Sequence, residues 1–132
     1  MIVVDTSALM SILNREAMAA QCERVLQGAD RILISAATIT EAKIVAARRG
    51  LSDAMETLLQ QSISDVVVLT PARAELAATA YTHWGRNFHT ASLNFGDCFA
   101  YATAKEFNCP LLFIGNDFAQ TDIPSAIATS TP

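Results

Sequence analysis

The chain is short of the residues that build several common kinds of site. It has only three cysteines, Cys22, Cys98 and Cys109, an odd number with no C-x-x-C pair. That argues against a disulfide framework and against a thiolate zinc cage, and it fits reduced thiols in a cytoplasmic protein. The two histidines, His83 and His89, stand in no zinc-like spacing. No apolar stretch is long enough to cross a bilayer and no basic segment precedes one, so the expectation is a chain that is neither exported nor held in a membrane. Basic residues are scarce too: nine Lys and Arg stand against thirteen Asp and Glu, a formal net charge of −4. A surface that grips phosphates through Lys and Arg alone is not expected from that balance. A local group of acids that held divalent metal would change the argument, because the metal cancels their charge where it matters.

What the chain does have is apolar bulk. Hydrophobic residues make up 52% and charged residues 17% of its 132 positions, a composition for a filled core and not for disorder. The length suits one domain, 1–132, with no internal repeat or linker. Short apolar runs, "MIVV" (1–4), "RILIS" (31–35), "DVVVLT" (65–70) and "PLLFI" (110–114), read as strands. Between them lie helical patterns over 6–13, 16–26, 36–49, 52–61, 71–84 and 97–107. Thr6 or Ser7, Ser52 and the Thr70-Pro71 pair supply start signals, and Gly28 and Gly50 supply stops. Residues 85–96 read as a loop and 125–132 as a frayed tail or edge. Continuous apolar strands alternating with helices predict the α/β class: a parallel sheet flanked by helices on both faces.

Ligands of such sheets bind outside the carboxyl ends of the strands. Asp5 directly follows "IVV". Asp117 follows "LLFI" after the turn residues Gly115 and Asn116. Glu41 lies in the helix after "RILIS", and Asp97 stands at the end of the long loop. Each has an ordinary alternative: a helix cap for Asp5, a charge favouring its helix N-terminus for Asp97, a solvated helix face for Glu41, a turn for Asp117. Together they are four acids from four separate segments directed at one edge, with Asp122 a further candidate. Clustered carboxylates repel and need a compensating charge, and for oxygen donors that is Mg2+ or Mn2+. Such a site suits phosphoryl chemistry by a metal-activated water. Thr6, Ser7 and Asn116 are candidate supporting residues, and Arg86 and His89, on the loop leading to Asp97, are candidates to line the path to the site. Cys98 has no partner base and reads as a core residue. The stripe Leu76, Ala77, Ala80, Tyr81 and Trp84 reads as core or subunit interface.

With these residues placed, the chain resembles the PIN-domain nucleases, and among them the VapC-type ribonuclease toxins. The resemblance rests on "VVDTSAL" (3–9), "TEA" (40–42), "LNFGDCFAYATA" (93–104) and "LLFIGNDFAQTDI" (111–123). The loop "HWGRNFHTASLN" (83–94) also resembles one branch of the family. It implies that Asp5, Glu41, Asp97 and Asp117 hold Mg2+ or Mn2+, that Asp122 matches a less regular acid, and that Thr6 or Ser7 matches the hydroxyl after the first acid. It implies metal-dependent cleavage of RNA, tRNA or rRNA being the usual targets, a small VapB-like antitoxin as partner, and a homodimer. Three positions depart from the family's pattern. Ile114 stands where relatives often carry Lys, Asn87 and Phe88 thin a basic run, and Asn116 replaces an acid found in some. Two other readings compete: a metal-dependent phosphatase of small phosphoesters, and a non-catalytic PIN-fold binding module.

Overall fold

In the computed structural model, which describes residues 1–127, four parallel strands form one sheet in the order β3-β2-β1-β4. They are β1 (Ile2–Val4), β2 (Ile32–Ser35), β3 (Asp65–Val67) and β4 (Leu111–Leu112). Six helices connect them: α1 (Thr6–Leu13), α2 (Ala19–Gly28), α3 (Ala36–Arg48), α4 (Ser52–Ser62), α5 (Pro71–Trp84) and α6 (Phe95–Glu106). A strand alternates its side chains between faces, so strands that are apolar throughout must be covered twice. Val3, Leu33, Val67 and Leu111 meet α5 and α6 on one face. Val4, Ile32, Ile34 and Leu112 meet α1 to α4 on the other. The predicted class and layering are those observed.

The strand order reverses between β1 and β4, which places a crevice beyond their carboxyl ends. Asp5 follows the first of these strands and Asp117 the second. The backbone fastens them together: the Asp5 N–H donates to Leu112 O at 3.0 Å, and the Ile114 N–H donates to Ser7 Oγ at 3.0 Å.

Several boundaries differ from expectation for local reasons. Helix α2 begins at Ala19 and not at Glu16, because Arg15 takes φ +53 and the Glu16 N–H turns back to Ser11 O. The cap position of α4 is Leu51, with no side-chain cap bond; Ser52 is already helical. Strand β3 stops at Val67, and Val68 and Leu69 lie exposed beyond it. Strand β4 is only two residues long. Residues 125–127 do not fray: Ser125 bridges Leu111 in parallel, and the Ala126 N–H donates to Leu111 O at 2.9 Å. The rest of the expected tail, 128–132, lies outside the described residues.

Candidate active site

The first acid is fixed by helix capping. Asp5 is the N-cap of α1, accepting the Ser7 N–H on Oδ2 at 3.0 Å. That leaves Thr6 and Ser7, the expected caps, free for other bonds. Thr6 Oγ1 donates to Glu41 Oε1 at 2.6 Å, and Ser7 Oγ receives Ile114 as above. Asp5 is buried, and its Oδ1 has no hydrogen-bond partner. Burial pushes its pKa up to about 6, the Ser7 bond opposing and the charge of Glu41 adding.

Asp97 does not open α6, as expected, but sits in its first turn. Asn94 is the cap, accepting the Asp97 N–H at 2.8 Å, and Asp97 Oδ2 accepts the Asn94 N–H at 3.0 Å. This reciprocal pair is a capping box. Its signature, Asn94-x-x-Asp97, was present in the sequence and could have placed the start correctly. Asp97 is buried, and its pKa is pushed up to about 7, first by burial and then by the charges of Asp5, Glu41 and Asp117. Asp97 therefore feels the charge of acids from three other segments of the fold.

Asp122 does not join them. Its Oδ1 accepts Tyr101 Oη at 2.6 Å and its Oδ2 accepts Lys105 Nζ at 3.0 Å. The Tyr101 bond and Lys105 lower its pKa, opposite to the shifts at Asp5 and Asp97. Asp117 and Asn116 are exposed beside Gly115, which takes φ +100. Arg86 and His89 are exposed on the loop before α6; His89 Nδ1 accepts the Ala91 N–H at 2.9 Å and the ring lies edge-on to Trp84. Cys98 is a core thiol, its pKa raised to about 12 chiefly by burial. Ala77 and Ala80 of the stripe are buried, Tyr81 and Trp84 pack against the same core, and Leu76 is exposed.

Among the described residues, no three His, Cys, Asp or Glu side chains are drawn into a closed ion cage. The donor set still fits a hard divalent cation. It is all carboxylate oxygen, it buries two acids that repel, and one of the buried oxygens, Asp5 Oδ1, has no protein donor.

Gly96 is a residue that the sequence reading passed over. A Cβ on it would overlap the Glu41 carboxylate, so only glycine there lets Glu41 lie against the start of α6. Gly96→Ala is expected to displace Glu41 and slow any reaction at this site by about 10- to 100-fold, the usual cost of disturbing a supporting contact of a site residue. Stability should change by no more than about 1 kcal/mol, since alanine is the better helix former. Melting curves alongside reaction rates check this, and full activity in the variant would show that Glu41 needs no such seat.

The family model described as the PIN domain matches residues 2–124. The chain is 40% identical over 129 residues to ribonuclease VapC28 of Mycobacterium tuberculosis, covering 95% of this chain and 97% of that one. It is 39% identical over 124 residues to ribonuclease VapC30 of the same species, covering 92% and 95%. Among solved structures, VapC20 of M. tuberculosis, described as a sarcin–ricin loop cleaving toxin, superposes with a TM-score of 0.75 at 16% identity, over 93% of this chain and 96% of that one. A toxin–antitoxin complex from Klebsiella pneumoniae superposes with a TM-score of 0.70 at 17% identity, over 98% and 97%. These last two likenesses concern the fold, whereas the sequence identities extend over nearly the whole chain. The chain belongs to the PIN-domain family and, within it, to the VapC ribonucleases.

Proposed function

We propose that the four acids hold one or two Mg2+ or Mn2+ ions and that the protein is an endoribonuclease toxin, cutting RNA by hydrolysis. The observation that carries this reading is the pair Asp5 and Asp97. Both carboxylates are buried, the charge of Asp5 helps to raise the pKa of Asp97, and one buried oxygen has no protein partner. Native folds rarely leave buried charge in that condition without a compensating group.

Bound there, a divalent ion supplies positive charge for the phosphate and acidifies a water. The chain's own residues do the positioning. The α1 cap fixes Asp5, the capping box fixes Asp97, Thr6 holds Glu41, and Ser7 ties the strand that leads to Asp117 to the start of α1. Arg86 and His89 are assigned to RNA contact from the exposed loop before Asp97. The Lys absent at position 114 leaves that task to them. The family's target classes, tRNA and rRNA, are the first substrates to test. A small VapB-like antitoxin is the assigned partner and a homodimer the assigned state. The Klebsiella complex, a toxin with its antitoxin on this fold, supports the partner.

Cleavage in 18O-labelled water with Mn2+ tests the reaction. The label is expected on a 5′-phosphate, leaving a 3′-hydroxyl, with no cut in excess chelator. A 2′,3′-cyclic phosphate product would point to attack by the RNA's own 2′-hydroxyl and would overturn hydrolysis at this site. Turnover of small phosphoesters with RNA left intact would favour a phosphatase.

A further inference from the structure

We propose that Asp122 is a positioning residue: through Tyr101 and Lys105 it clamps the segment after β4 onto α6, and so sets Asp117 relative to Asp97. The proposal rests on the functional reading above.

Asp117 is the one exposed member of the quartet and sits in a loop with few bonds of its own. What holds it is at the loop's two ends. Upstream, Leu112 O and the Ile114 N–H are bonded to Asp5 and Ser7, so this end is fastened to the first buried acid. Downstream, Phe118 is buried and packs on Phe113 with ring centroids 5.3 Å apart. The chain then turns tightly. Thr121 Oγ1 donates to Phe118 O at 2.7 Å and accepts the Ile123 N–H at 3.2 Å. That turn presents Asp122 to α6.

There both carboxylate oxygens are taken. Tyr101 Oη donates to one at 2.6 Å and Lys105 Nζ to the other at 3.0 Å. The first distance is that of a charge-assisted O–H···O bond, stronger than a neutral one. Tyr101 is itself held: its ring is buried and its oxygen accepts Trp84 Nε1–H at 2.9 Å. Tyr101 lies one helical turn beyond Asp97, and Lys105 two turns. The downstream end of the loop is thus fastened to the helix that carries the second buried acid. A carboxylate with both oxygens committed to protein donors is not a free ligand. Asp122 acts on the site through the backbone that joins it to Asp117.

Tyr101→Phe, Asp122→Asn and the double variant test this, with Mn2+ binding measured by calorimetry, kcat and KM for RNA cleavage, and melting temperature. Each single variant is expected to weaken Mn2+ binding and lower kcat about tenfold, as loss of a group supporting a metal ligand does, with KM little changed. The double variant should be no weaker than either single one, because both break the same clamp. Weakened Mn2+ binding in Asp122→Asn with wild-type binding in Tyr101→Phe would make Asp122 a direct ligand and overturn the clamp. Lower melting temperatures with unaltered Mn2+ binding and kcat would reduce it to a structural contact and overturn it too. If Asp122→Asn does not fold, Tyr101→Phe, which keeps the ring, decides alone. A wild-type protein that binds no Mn2+ overturns the functional reading itself, and the clamp with it.

Discussion

Asp5→Asn and Asp97→Asn are each expected to slow RNA cleavage about a thousandfold, which is ~4 kcal/mol of transition-state stabilisation. Neither should unfold the protein. Asparagine caps a helix as well as aspartate does, so the Ser7 N–H keeps its acceptor in Asp5→Asn. In Asp97→Asn the side-chain carbonyl can still accept the Asn94 N–H and preserve the capping box. What both variants remove is a buried charge. The metal-free variants should therefore melt higher than the wild type at pH 8, while cutting RNA far more slowly. Cleavage assays and melting curves on the same samples check both halves. Wild-type cleavage in both variants would place the chemistry elsewhere.

The metal-free wild type is expected to lose stability as pH rises from about 4 to about 7. The sign follows from the direction of the shifts. Asp5 is raised to about 6 and Asp97 to about 7 from the ordinary aspartate value of 3.8, so across that interval the folded state binds more protons than the unfolded one. Stability falls with pH wherever that holds. Their contribution is fully present below about pH 4 and lost once pH passes the folded values. For Asp5 alone it amounts to ~3 kcal/mol, roughly 10 °C of melting temperature in a chain this size. The two are not additive, because Asp5's charge is itself part of Asp97's shift. Asp122 works the other way: its lowered pKa stabilises above the unfolded value and is lost in acid. Mn2+ should reverse the slope, since it binds the ionised acids of the folded state and stabilises by mass action. A melting temperature that climbs from pH 5 to 8 without metal would contradict the shifts. In Asp5→Asn and Asp97→Asn the slope should flatten.

The acids were unequally legible. Asp5 follows an apolar run with nothing between, and a residue at the carboxyl end of a central strand has few places to go. Asp97 was identified from its motif, but its local role was misread, because a helix starts where its first N–H groups find acceptors. Asn94 provides one three residues earlier than expected. Glu41 had the weakest local signal, an acid on a helix with no distinguishing neighbours in sequence. Its partners, Thr6 and the bare backbone of Gly96, come from other elements. Asp122 was the misleading one. Five residues from Asp117, it looked like a fifth ligand, and one tight turn carries it to Tyr101 and Lys105 instead.

The order of apolar runs and helix signals was enough for the class of fold, the two-sided core and the family, because those depend on periodicity and motif spacing along the chain. Which acids share a charge environment, which one is tied away from it, and which glycine makes room for a carboxylate are matters of position. They arise when segments distant in sequence are packed within a few ångströms of one another, and both Coulomb interaction and hydrogen bonding depend on that distance, not on separation along the chain.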